Sequence, residues 1–166
     1  VQRGSTVYSV SQLDPRRDQF KQHIKDWLRE FGTRYVAWEY TPQMYMNEIR
    51  DLKSSVNGAY AAILQPGMIT LGISQKLVSL SLKYLWLLGN PDKKPLFPPL
   101  DGEVFAEIGI NVKGGFKKLD DPTVIDDLWR QTDSHASKRG KRSGAIWEAE
   151  WWSGNKQDDN PASSTP

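Results

Sequence analysis

The chain has 166 residues, 38% of them hydrophobic and 25% charged, a balance that fits one globular domain with one sizeable core and argues against a wholly disordered chain. Cysteine is absent, which excludes disulfides, thiolate zinc sites, iron–sulfur clusters and a cysteine nucleophile. A net charge of +2 excludes a uniformly basic nucleic-acid binder, so any binding of that kind must come from a local patch.

Residues 1–5 read as a frayed or extraneous leader outside the fold. Three helix starts follow from a capping side chain set before a proline: Asp14-Pro15, Thr41-Pro42 and Asp121-Pro122. The first predicts a helix over 15–31 with Phe20, Ile24, Trp27, Leu28 and Phe31 on one face, ended by Gly32. Residues 35–40 then alternate as a short strand or an extended link. The second helix starts at Pro42, places Tyr45, Ile49, Leu52 and Val56 together, and extends at most to Leu64.

Gln65-Pro66-Gly67 breaks the chain. Residues 74–88 carry Leu77, Val78, Leu80, Leu82, Leu85, Trp86, Leu87 and Leu88, so this helix is apolar on nearly all sides and is expected at the centre of the domain. Pro95, Pro98 and Pro99 stiffen the link to a short helix opened by Asp101-Gly102-Glu103. Gly114-Gly115 is another break. Helices over about 122–137 and 143–152 complete a mostly helical single domain, 6–152, with at most one short strand, and residues 153–166 read as a disordered tail. The fold class is all-α. No run reaches the 18 or so apolar residues of a membrane span, so neither a membrane partner nor any location but the cytoplasm is expected.

Among titratable residues, Lys76 falls in the first turn of that apolar helix. There the helix dipole and partial desolvation disfavour its charge, and a neutral amine is a nucleophile. Its bland alternative is a stem lying along apolar neighbours with the ammonium in water. Lys83, two turns on, is a second candidate amine, or the partner of a nearby acid. Asp101 caps the following helix, a role that does not exclude chemistry. The two histidines, His23 and His135, read as surface residues, and no metal or cofactor is expected. Lys138, Arg139, Lys141 and Arg142 form the strongest basic run, either a solvated loop between helices or a set of phosphate contacts.

The turn with Gly67 and Gly72, the lysine at the head of a buried helix, and the Pro99-Leu100-Asp101 segment together resemble the helix-hairpin-helix DNA glycosylase superfamily. The resemblance spans residues 64–101, and the spacing of Lys76 and Asp101, 25 residues, is similar to the family's. It implies a helix-hairpin-helix core and a DNA partner, double-stranded with one base flipped out. It further implies a hairpin of Gly67, Gly72, Ser74 and Gln75 on a phosphate, Lys76 attacking the sugar, and Asp101 stabilising the charge that develops there, with or without strand cleavage. Trp38, Tyr45, Trp86 and Phe97 are the candidate surfaces for filling the gap left by the base, or else core. The segment 75–86 also resembles small bacterial and phage-associated proteins, which implies a part in antiviral defence. Two further readings stand beside the enzyme: a non-enzymatic nucleic-acid-binding helical protein, and a protein-interaction factor anchored on Trp147, Trp151 and Trp152.

Overall fold

The computed structural model describes residues 8–158 except 12, 66, 90 and 91, with only the backbone of 155–158. Among these residues there are six helices and no strand: α1 (Arg16–Ala37), α2 (Pro42–Tyr60), α3 (Leu71–Leu88), α4 (Gly102–Glu107), α5 (Pro122–Lys138) and α6 (Gly144–Asp158). A single antiparallel bridge, Tyr8 to Leu64, is the one extended pairing among them. The chain is an all-α domain, as its composition and periodicity predict.

The capping signals act much as expected. Thr41 accepts the Met44 amide and Asp121 the Thr123 amide, each with proline in the first turn. Asp14 accepts the Arg16 amide at 2.9 Å, so α1 starts one residue after the proline. Arg16 also pairs with Asp14, which lowers the Asp14 pKa to about 2.

Four boundaries differ from the sequence reading. Gly32 does not end α1, and residues 35–37 are helix rather than strand. A side chain at 32 would sit 3.6 Å from Leu85, so this glycine lies where α1 faces α3, and the helix runs on to bury Tyr35 in the core. Helix α2 stops at Tyr60 and gives way to a 3-10 turn, Ala61–Ile63. Helix α3 begins at Leu71, because Thr70 caps it by accepting the Ile73 amide. Lys76 is therefore in the second turn, past the reach of the dipole argument. Lastly, α6 continues to Asp158, beyond the expected limit at 152, while residues 1–5 and 159–166 lie outside the described ones.

One hydrophobic cluster joins α1, α2, α3, α5 and the 96–100 link, with Phe31, Tyr45, Ile49, Leu52, Val78, Leu100 and Trp129 at its centre. Phe97 stacks on Trp129 with ring centroids 4.1 Å apart. A second, smaller cluster of Val104, Ala136 and Trp147 holds α4, α5 and α6 together. Helix α4 bridges the two, with Phe105 in the first cluster and Val104 in the second.

The central helix departs most from expectation. Its innermost side chains include Ser74, Gln75 and Ser79, all at 0% exposure, whereas Tyr84, Leu87 and Leu88 are 47%, 50% and 82% exposed. Polar pegs join Leu71, Val78 and Leu82 in fixing α3 to its neighbours. Gln75 donates to the carbonyls of Gly72 and Leu100 and accepts the Leu100 amide. Ser79 shares a 2.9 Å hydrogen bond with the buried Tyr45 hydroxyl of α2, whose pKa burial raises.

Candidate functional site

Lys76 and Asp101 converge. The Lys76 Nζ donates to Asp101 Oδ2 at 2.9 Å, with the side chains 18% and 20% exposed. Asp101 divides its oxygens, because Oδ1 accepts the Glu103 and Val104 amides that start α4. The cap fixes the carboxylate, and the carboxylate fixes the lysine, so both readings of Asp101 hold in the same geometry. The ammonium also lies 4.7 Å from the centre of the Phe116 ring, a favourable cation–π contact.

Two turns further along α3, Lys83 is buried and bound to both oxygens of Glu148 on α6, at 2.8 and 2.9 Å. The Trp152 ring covers the same ammonium at 4.6 Å. Burial raises the Glu148 pKa, Lys83 opposes that shift, and Asp101 and Glu103 add to it. Asp101 at the cap of α4 and Glu103 in its first turn are thus close enough for Glu148 to feel their charge. Lys83 is the partner of an acid rather than a free amine. Glu148 was not singled out in the sequence, although its setting, Ile146-Trp147-Glu148-Ala149, places an acid among apolar residues, a signal for a buried carboxylate.

The residues expected to grip a phosphate are arranged otherwise. Ser74 and Gln75 are buried, and Gln75 spends its amide on Gly72 and Leu100. Ser74 Oγ has no hydrogen-bond partner among the described residues. The turn amides are also engaged: Gly67 to the Leu64 carbonyl, Ile69 to Asn57, Leu71 to Asp120, Gly72 to the Leu119 carbonyl, Ile73 and Ser74 to Thr70. Gly67 supplies the turn with a φ of +95°. Gly72 is required for another reason, because a side chain there would run into the Phe116 carbonyl at 1.9 Å. These glycines allow tight packing of the turn against the 113–119 loop and do not present amides to a ligand.

The basic run straddles the end of α5. Arg139 pairs with Glu107 at 3.2 Å and Lys141 with Glu150, so half of its charge is matched, while Lys138 and Arg142 are exposed. His135 lies beside it with its ring 4.6 Å from Trp147, and its pKa is lowered by burial and by Arg139. His23 bonds Ser55 at 2.8 Å. Both histidines are half-buried.

Of the aromatic candidates, Tyr45 and Phe97 are core, Trp86 is half-buried and Trp38 is exposed. Trp147 is buried and stacks on Trp151, so the proposed C-terminal aromatic anchor is packed inward. An open groove of about 410 Å³ runs between α1 and α3 past Leu28, Gly32, Val36 and Leu85, and includes neither Lys76 nor Asp101. Among the described residues no group of three or more His, Asp or Glu side chains is placed to hold a metal, and no helix is long and apolar enough to cross a membrane. Comparison with models of protein families, with curated proteins and with solved structures finds no match to this chain.

Proposed function

We propose that the protein is a DNA glycosylase in which Lys76 attacks the deoxyribose carbon bearing a damaged or modified base. The observation that carries this reading is the Lys76–Asp101 pair, two groups 25 residues apart held at 2.9 Å, one from the second turn of α3 and one from the cap of α4, each still partly exposed. A lysine must shed a proton before it can attack, and the carboxylate it touches is the nearest acceptor. Attack forms the N–C1′ bond as the glycosidic bond breaks, and the base leaves with the proton given up by the attacking amine. The C1′–O4′ bond then opens, O4′ taking the proton that Asp101 accepted, which leaves a protonated Schiff base on Lys76 beside the restored Asp101 carboxylate. Elimination from that intermediate would cut the strand. The scheme draws on no metal or cofactor.

Borohydride trapping on oligonucleotides carrying damaged bases or an abasic site tests it. The wild-type chain is expected to form a covalent complex that Lys76→Ala abolishes, while Asp101→Asn, which keeps an oxygen for the α4 cap, traps at least tenfold more slowly. Equal trapping by wild type and Lys76→Ala would remove Lys76 from the chemistry. DNA binding without trapping on any substrate would leave a non-enzymatic nucleic-acid-binding protein.

A further inference from the structure

The cap and first residues of α3 are bound to the loop that ends at Leu119 and Asp120. Gly72 donates to Leu119, Leu71 to Asp120, and the Thr70 hydroxyl donates to the Lys117 carbonyl at 3.1 Å. The loop thus lies over the edge of the turn, and it carries Lys113, Lys117 and Lys118, all exposed, within six residues. Its backbone is set by Gly114 and Gly115, both at positive φ (82° and 65°), a conformation that side chains rarely adopt. A side chain at Gly114 would also come within 2.5 Å of Lys118 Cγ, so the stem of Lys118 passes close over this glycine. Phe116, in the same loop, touches the Lys76 ammonium.

The neighbouring acids are engaged. Asp101 holds Lys76 and caps α4, Asp120 holds Lys53 and the Leu71 amide, and Asp121 caps α5. Lys113 and Lys118 have no carboxylate partner among the described residues. The loop is therefore a surface of positive charge anchored by backbone hydrogen bonds and adjoining the candidate reactive pair.

We propose that the 113–118 loop binds the sugar–phosphate backbone of a nucleic acid, in place of the turn amides that it covers. This rests on the reading that Lys76 acts on DNA, since that reading decides between a nucleic acid and another polyanion. The basic run at 138–142 sits at the opposite end of α5, roughly 25 Å away for a helix of this length, and serves as an internal control.

The test measures binding of the full chain to a labelled duplex carrying a stable abasic-site analogue, over a range of potassium chloride concentrations. Replacing Lys113 and Lys118 together by glutamine is expected to weaken binding more than tenfold at low salt and to reduce the slope of log K against log salt by about 2, near 0.9 per lost phosphate contact. Lys138→Gln with Arg142→Gln is expected to change that slope by less than 1. An unchanged slope in the loop variant overturns the proposal, as does no binding by the wild type, or tighter binding to vesicles of anionic phospholipid than to DNA. Borohydride trapping separates the two readings. A loop-dependent salt slope without any trapping removes the enzyme and keeps the binding loop, whereas trapping with an unaltered slope in the loop variant keeps the enzyme and removes the loop.

Discussion

Lys83 and Glu148 show how a single residue's environment decides its role. Their side chains are 4% exposed, so each charge is stabilised by the other and, for Lys83, by the Trp152 ring. Removing one partner leaves an uncompensated buried charge, which costs about 3–5 kcal/mol, whereas replacing both with apolar residues of similar volume is near neutral or stabilising. Urea denaturation should therefore show Lys83→Met and Glu148→Leu each losing about 3 kcal/mol or more, with the double variant recovering most of it. Additive losses in the double variant would show that the pair acts through packing and not through charge. Lys76 is the useful contrast, because the same helix places it where its partner still meets water. Sequence spacing singled out both lysines but could not tell which one is enclosed. That depends on Glu148, which is 65 residues away and reaches Lys83 only once α6 docks.

At the scale of elements, the junction of residues 70–72 with residues 116–120 carries the most information. Three side-chain or backbone bonds and the bare face of Gly72 hold the two segments together. Gly72→Ala forces a Cβ into the Phe116 carbonyl, and since a backbone atom cannot swing aside the loop must move. The expected cost is about 1–3 kcal/mol by thermal or chemical denaturation, as for other overpacked sites, together with a weakened salt slope in DNA binding. Wild-type stability in Gly72→Ala would mean that the loop is free to shift and is not a preorganised surface. The sequence made the glycines of this turn legible as turn and phosphate residues, and the turn is there. Their partner was not legible, because Leu119 and Asp120 stand nearly fifty residues further on and carry no motif.

The whole molecule is built on two cores of unequal size. The larger one spans α1, α2, α3 and α5, while the smaller one, centred on Trp147, secures α6. Helix α6 is joined to α3 by the buried Lys83–Glu148 pair and to α5 by packing and by the Gly144 amide on Asp133. Regions with fewer buried apolar contacts open at lower free energy. Hydrogen exchange should accordingly find the α6 amides exchanging before those of α2 and the middle of α3, and Trp147→Ala should accelerate α6 selectively. Exchange of all helices at one common rate would mean that the two clusters behave as a single cooperative unit.

Composition, proline-linked caps and apolar periodicity by themselves determined that this chain is a single all-α domain, and set the starts of α2 and α5 to the residue. Those properties are local: a cap and a period act within a turn or two of helix, and the sequence records them directly. Tertiary structure alone decided how the central helix is used. A hydrophobic run predicts burial on all sides, yet a side chain is buried only where another element covers it, and in α3 that coverage falls on Ser74, Gln75, Ser79 and Lys83 as well as Leu71, Val78 and Leu82, while Leu87 and Leu88 stay exposed. Three of the four polar groups can be enclosed because Leu100, Tyr45 and Glu148 supply their hydrogen bonds from distant parts of the chain. The meeting of Lys76 with Asp101 was suggested by resemblance, and its distance follows from Gln75 of α3 holding the amide and carbonyl of Leu100, the residue before Asp101.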